Sequence, residues 1–440
     1  MRRLIYIFII GLLLCSYTWA DGSRYASNSL LSEGKWVKIR VDKTGIYKLS
    51  YADLKNMGFS DPSKVSVHGY GGWPLDEDFS KEYIDDVPST PVWRGSDYLL
   101  FYGKGSVKWE YDSSSQTFVH TNNPYSLYGY YFVTDATPTN DMTSVAQASG
   151  ASTRITTYDD YLLHEQELVS VNQSGREFFG EDFSGARPRT ISTFSSIPGI
   201  TGADGKVTMR FISRINSGSG TASLSINDSE LLDITIPSIQ TVSSNVRSYT
   251  KAIPGTTTAL WKGSKSEKNN VVVSYSSSGH TNVRLDYIRM QFVRTLRPYG
   301  ACTFFRSLTS VGNESRFVIS EANSNTLVFD VTDALNVKRV EADLNGSELS
   351  FTIPAGRLRE FVLVQTNQTF PSPEVVGEVA SSNLHGLEQR DMIIISAPSL
   401  VQQAERLAVA HREKDGLTVE VVTPEAIYNE FSSGTPDATA

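Results

Sequence analysis

The chain has 440 residues, 40% of them hydrophobic and 11% aromatic, with a formal charge of −8 and two cysteines. At roughly 100–200 residues per domain this length allows three to four domains. The apolar and aromatic content excludes a disordered chain, and the acidic balance argues against nucleic acid as a partner. Two cysteines exclude a disulfide framework or a Cys-rich zinc module, and six histidines leave little material for a metal site, so no metal and no cofactor is expected.

Arg2 and Arg3 precede a nearly unbroken apolar run over residues 4–14, and Thr18 and Ala20 stand at −3 and −1 of a cut after Ala20. This is the pattern of a secretory signal peptide over residues 1–20; the competing reading is a short buried helix. A lipid anchor at Cys15 fits less well, because Leu14 stands where that signal wants a small side chain. Without the signal the chain keeps 38 basic and 48 acidic residues, a net charge of −10, and one cysteine, Cys302. No second apolar stretch approaches the roughly 18 residues of a membrane helix. An exported protein without a membrane span is expected.

Residues 21–150 read as a β-rich domain with one short helix. Residues 35–41 alternate, placing Val37, Ile39 and Val41 on one face. A turn at 42–45 leads to a second strand at 46–49. Ser50 with Asp53 three residues on makes a capping-box-like helix start, and Gly58 is placed to end that helix. Further strands are expected at 64–70, 97–102, 117–120 and 128–134, with a hairpin turn at 111–115. Residues 151–298 show alternating runs at 207–214, 222–226, 270–275 and 282–293, separated by Ser/Gly clusters, which suggests a β-sandwich or jelly roll. Residues 299–378 continue as a β-rich, Ig-like domain.

The period changes near 385. Residues 392–396 form a short apolar run of the kind buried on both faces of a parallel sheet. Pro398 suits a first helical turn, and Leu400, Ala404, Leu407, Ala408 and His411 then share one face, with Gly416 as C-terminal cap. Residues 417–422 form the next strand, and Thr423-Pro424 begins another helix. This is the strand–helix–strand unit of an α/β domain, over 379–440. Two parallel strands and one complete helix leave that sheet half covered, so the natural protein is expected to continue past 440. The alternative is a unit packed on the β modules as a C-terminal cap.

Chemistry is sparse. Cys302 is flanked by aromatics and remote from any histidine, and nothing local would lower its pKa; a buried structural thiol is the simpler reading. His164-Glu165 lacks the second histidine of a zinc peptidase helix, because position 168 is Leu168. The glycine pairs at 71–72 and 103–105 precede no helix and read as turns rather than phosphate loops. Asp330 and Asp333 could hold calcium, against the simpler reading of a solvated loop. Sequons start at Asn172, Asn227, Asn313, Asn345 and Asn367, and matter only in a eukaryotic secretory path. The aromatic surface of the first unit could bind a glycan or a protein; core packing is the alternative.

Resemblance is concentrated at the end. Residues 383–387, 391–395, Gln403-Ala404, Leu407-Ala408, His411 and 427–434 resemble the start of the gingipain-family peptidase domain, in the sortase-like form of the type IX secretion system of Bacteroidetes. Residues 45–49, 53–58, 97–103, 164–181 and 285–288 agree with the same family in order. The resemblance implies a caspase-like cysteine peptidase with a Cys/His dyad. It would act at the outer-membrane surface, remove C-terminal sorting domains from secreted proteins and join them to lipopolysaccharide, beside an outer-membrane β-barrel partner. In the family that dyad lies beyond the position of residue 440. No catalytic residue within 1–440 is therefore assigned, His385 and His411 fall outside the catalytic histidine's place, and the chain alone is expected to be inactive. A secreted β-sandwich adhesin ending near 440 is the competing reading.

Overall fold

The computed structural model describes residues 25–81, 83–150, 153–171, 175–185, 187–215, 218–239, 252–262, 265–277 and 280–440. The expected signal peptide and the sequon at Asn172 lie outside the described residues. No helix among the described residues is long and apolar enough to cross a membrane. The described residues are mostly β, in eight sheets.

In the first unit Trp36–Val41 pairs antiparallel with Gly129–Thr134, which pairs in turn with Ser66–His68. A second sheet joins Gly45–Ser50, Tyr98–Gly103 and Val92–Arg94. The alternation seen at 35–41 puts Val37, Ile39 and Val41 into one core with Leu49, Phe101 and Tyr131. Helix α1, Tyr51–Asn56, has the capping box: Asp53 N–H donates to Ser50 Oγ at 3.0 Å, and Ser50 N–H donates to Asp53 Oδ2 at 3.3 Å. Gly58 ends this segment at φ +92°.

The hairpin Val107–Asp112 with Thr117–Asn122 stands as its own ribbon. It docks on the next unit through Phe118, whose N–H donates to Gln291 Oε1 at 2.9 Å. That unit is a sandwich. One sheet runs Thr157–Glu165, His280–Thr295, Gly205–Ile215, Ile253–Trp261; the other runs Arg189–Thr190, Val271–Ser277, Ser219–Ile226, Ser229–Pro237. The two share a core that includes Val207, Met209, Phe211, Leu224, Val273 and Ile288.

A further pair of sheets is built from Cys302–Phe305, Ser315–Ile319, Thr326–Asp330, Glu348–Ile353 and Phe361–Gln365. Its core centres on Phe305, Phe317, Phe351 and Phe361, with Phe317 and Phe351 stacked at 5.2 Å. Strands from elsewhere tie the units together. Ser144–Val145 and Thr153–Ile155 add parallel to these sheets, and Glu374–Val379 returns to pair with Trp36–Val41.

At the C-terminal end Met392–Ile395 pairs parallel with Val419–Val422, and helix α2, Val401–Asp415, connects them. A 3₁₀ turn at Pro398–Leu400 precedes α2, and Gly416 caps it at φ +67°. Helix α3, Pro424–Phe431, starts as expected, with Ala426 N–H donating to Thr423 Oγ1 at 3.3 Å. Burial differs from expectation. Ile393 and Ile395 are 60% and 62% exposed, and Leu400 and Leu407 are exposed as well. Only Ala408 of α2 is buried. The physical reason is geometric: α2 covers one face of a two-stranded sheet, and nothing among the described residues covers the other.

Candidate functional site

The sequence singled out residues that the structure scatters. Cys302 packs in an apolar cluster with Phe329, Val364 and Phe370, and burial pushes its thiol up to about 12. A thiol at that value carries almost no thiolate at neutral pH, so it is a poor nucleophile. His164 bonds Glu181 Oε1 at 2.7 Å and Thr193 Oγ1 at 2.8 Å, and among the described residues it belongs to no group of three or more His, Cys, Asp or Glu that could hold a metal. Asp330 accepts from Thr332 N–H and Asp333 from Leu335 N–H, which makes both of them turn-stabilising groups. His411, which the sequence places on the apolar face of its helix, is partly exposed and bonds Asp415 Oδ2 at 2.6 Å, one turn away on α2. A two-stranded sheet is too narrow to cover the apolar side of α2, which leaves His411 partly open as it leaves Leu407 exposed.

His385 is different. Its side chain is 1% exposed and both ring nitrogens face carboxylates: Nε2 lies 2.8 Å from Asp85 Oδ1 and Nδ1 lies 2.8 Å from Glu430 Oε2. Two acceptors on one imidazole require both nitrogens to donate, which is the cationic form. Burial alone would lower its pKa, but the bonds to Glu430 and Asp85 outweigh it and push His385 up to about 9. The ring stacks on Phe431 at 4.4 Å. Glu430 is fully buried; burial would raise its pKa, but His385, Ser382 Oγ and the N–H groups of Leu384 and His385 hold it below the usual range. Next to them Asp86 accepts from Ser29 Oγ at 2.7 Å and Leu30 N–H at 2.8 Å.

This centre opens a longer seam. Lys38 Nζ donates to Asn429 Oδ1 at 2.8 Å; burial pushes Lys38 down to about 8, against the attraction of Glu425. Tyr83 OH donates to Phe431 O, Ser433 Oγ to Asp86 O, and Thr435 Oγ1 to Gly71 O. Leu75 N–H donates to Asp437 Oδ2 at 2.9 Å. Asn429, Glu430, Ser432, Ser433, Thr435 and Asp437 are all buried. Gly434, at φ +84°, passes so close to Lys38 and Phe132 that a Cβ would lie 2.8 Å from Lys38 Cε. The end of α3 and the stretch after it therefore form a polar clamp on the first β unit. A base that is already protonated and held by two carboxylates is an anchor, not a proton acceptor.

Sequence reasoning missed Glu430, Asp85, Asn429 and Asp437. A polar run across a helix end looks like a solvated tail; only the matching polar groups of 29–86, more than 300 residues away in sequence, reveal it as buried. Its one signal was that 427–434 carried part of the family resemblance.

Residues 385–440 match the model of peptidase family C25. The chain is similar to a dimeric latent PorU from Porphyromonas gingivalis at 36% identity and a TM-score of 0.85, covering 94% of this chain and 39% of that one. The chain thus spans well under half the length of that relative. A CBM35 from Cellvibrio japonicus Abf62 matches at 15% identity and a TM-score of 0.18, over 31% of this chain and 97% of that one. The delta-endotoxin Cry8Ea1 from Bacillus thuringiensis matches at 10% and 0.16, over 57% and 54%; similarity at that level carries no argument. No curated protein matches. On the similarity that spans nearly its whole length, the chain is a PorU-like protein with a peptidase family C25 segment at residues 385–440.

Proposed function

We propose that this chain is the N-terminal part of an exported cysteine endopeptidase that works as a sortase of a type IX secretion system at the outer-membrane surface. One observation carries the reading. The segment that matches a peptidase family is a parallel strand–helix–strand unit whose apolar residues Ile393, Ile395 and Leu407 remain open. Parallel sheets are stable when covered on both faces, so further α/β chain is the cover that fits. In this reading the Cys and His of the dyad come from sequence beyond 440, and none of Cys302, His164, His385 and His411 is catalytic. The thiolate attacks the scissile carbonyl, the peptide C–N bond breaks as the histidine protonates the departing amine of the sorting domain, and the resulting thioester passes its acyl group to water or to an amine, which frees the thiolate. Substrates are secreted proteins with C-terminal sorting domains, lipopolysaccharide is the acceptor, and the β units position the peptidase and dock an outer-membrane barrel.

The test compares the 440-residue chain with a longer one that includes the next α/β segment. The longer chain is expected to cleave a sorting-domain substrate and to lose activity when its Cys or His is changed to Ala. The 440-residue chain is expected to be inactive. Cleavage by the short chain, or full activity after both changes, would overturn the reading.

A further inference from the structure

An open groove of about 440 Å³ lies between residues 122–127, which follow the hairpin, and the end of the sandwich strand Thr157–Glu165 with residues 167 and 176–178. Its rim is apolar and uncovered. Leu127 is 66% exposed, and Tyr125 and Phe178 are exposed on the same groove. None of the three belongs to a core cluster. Large apolar side chains gathered in this way mark a surface that a partner covers.

The groove is also acidic. Alternation along the strand and its extension carries Leu163, Glu165 and Glu167 to one side, and all three line the groove. Glu167 Oε1 accepts from Asn122 Nδ2 at 2.9 Å, and its carboxyl is in hydrogen-bond contact with Glu165. Two carboxyls in contact repel when both are ionised, so the pair tends to hold a proton between them. Countercharge is short. Glu165 Oε2 lies 3.1 Å from His120 Nε2 on the hairpin. Arg176 lines the groove but pairs with Glu77 at 2.6 Å. Asp286, on the next strand, adds a further carboxylate, and Arg210 is divided between it and Glu177. Among the described residues no Lys or Arg is paired with Glu165 or Glu167.

A guanidinium can take the place of the shared proton, because its planar fork donates to two acceptors at once. We propose that this groove docks an exposed segment of a partner protein in which an arginine stands between apolar residues, the arginine on Glu165 and Glu167 and the apolar residues on Leu127 and Phe178. Charge complementarity selects this occupant. A wholly apolar segment would cover the carboxyls without pairing them, and an acidic one would add to their repulsion. Docking sends the displaced proton to solvent.

Calorimetric titration of the whole chain with the peptide acetyl-Leu-Arg-Leu-Phe-amide, and with the same peptide carrying Gln or Glu in place of Arg, tests this. The arginine peptide is expected to bind saturably, and at least about tenfold more tightly than the glutamine peptide, as for one charge-assisted hydrogen bond. Glu167→Gln keeps an acceptor for Asn122 and should erase most of that difference. Leu127→Ala should weaken binding roughly three- to tenfold with the melting temperature unchanged. Loss of water around its carboxyl, and then the charge of Glu165, pushes Glu167 up to about 7, so affinity should rise between about pH 6 and 8, and Glu167→Gln should reduce that rise. The proposal fails if the arginine peptide does not saturate, if either other peptide binds as tightly, if both variants bind like the parent, or if affinity falls with pH. A dimer of the chain that Leu127→Ala abolishes would assign the groove to a second copy and would also refute it.

Discussion

Replacing His385 by Ala should release the polar clamp. The substitution leaves Glu430, which is fully buried, without its charged partner, and removes the hydrogen bond to Asp85. Breaking a buried ion pair from one side costs about 3–5 kcal/mol, and loss of the stack on Phe431 adds about 0.5–1.5 kcal/mol. Glu430 keeps donors from Ser382 Oγ, Leu384 N–H and His385 N–H, which places the net loss near the lower end, about 3 kcal/mol. That is more than a hundredfold in the opening equilibrium. Native-state hydrogen exchange and limited proteolysis over 380–391 and 429–437 read it directly. Exchange of the N–H groups of 432–435 should accelerate by about two orders of magnitude, while the sandwich strands at 205–215 stay protected. A loss below about 1 kcal/mol, or equal acceleration in the sandwich, would refute the assignment of the clamp to this centre. The pH dependence has a definite sign. His385 has a raised pKa, so its contribution is fully present below its ordinary value of 6.5 and is lost as pH rises through about 9. Glu430 has a lowered pKa, so its contribution is present above 4.5 and is lost as pH falls below it. The clamp should therefore be tightest between about pH 5 and 6.5 in wild type, and this window should vanish in His385→Ala.

Three further outcomes are expected. Gly434→Ala forces a Cβ within 2.9 Å of the buried Phe132 ring at a left-handed backbone position, and should loosen the clamp by about 1–3 kcal/mol, measured by the same exchange. Phe351→Ala opens a cavity among Phe305, Phe317 and Phe361 and should cost about 3–5 kcal/mol in urea unfolding, with the midpoint shifted and the slope kept. Cys302, pushed up to about 12, should react with iodoacetamide at pH 8 at least about a hundredfold more slowly in the native chain than in urea.

Local chemistry was legible in the sequence wherever a single residue type decides the conformation. Ser50 and Asp53, Thr423 and Pro424, and Gly416 mark helix ends because side-chain oxygens, the proline ring and a missing Cβ act within one turn. Strands with one wet face, such as 35–41, were legible for the same reason: alternation is a local record of burial. Burial itself was not. The run 392–395 is apolar enough for two covered faces, yet its packing depends on what else reaches the sheet, which no window of sequence encodes. His385 was legible only as a position of family likeness, because its two carboxylates lie 300 residues before it and 45 after.

The clamp and the open sheet face together set an order of assembly. Every partner of 429–437 on the first unit comes from loops or strands within 29–130 whose geometry depends on the cores at 36–41 and 129–134. Polar groups have no drive to collapse on their own, because water serves them nearly as well; they dock only onto partners already in place. The apolar face of 392–395, by contrast, is drawn to any apolar surface that arrives. The first unit must therefore be folded before the C-terminal segment can be held, and only then is the sheet face presented at a fixed place. A chain with Phe101→Ala, which weakens the first core by about 3–5 kcal/mol, should lose protection at 429–437 before it loses protection in the sandwich at 205–215. The reverse order would show that the α/β unit stands without its clamp.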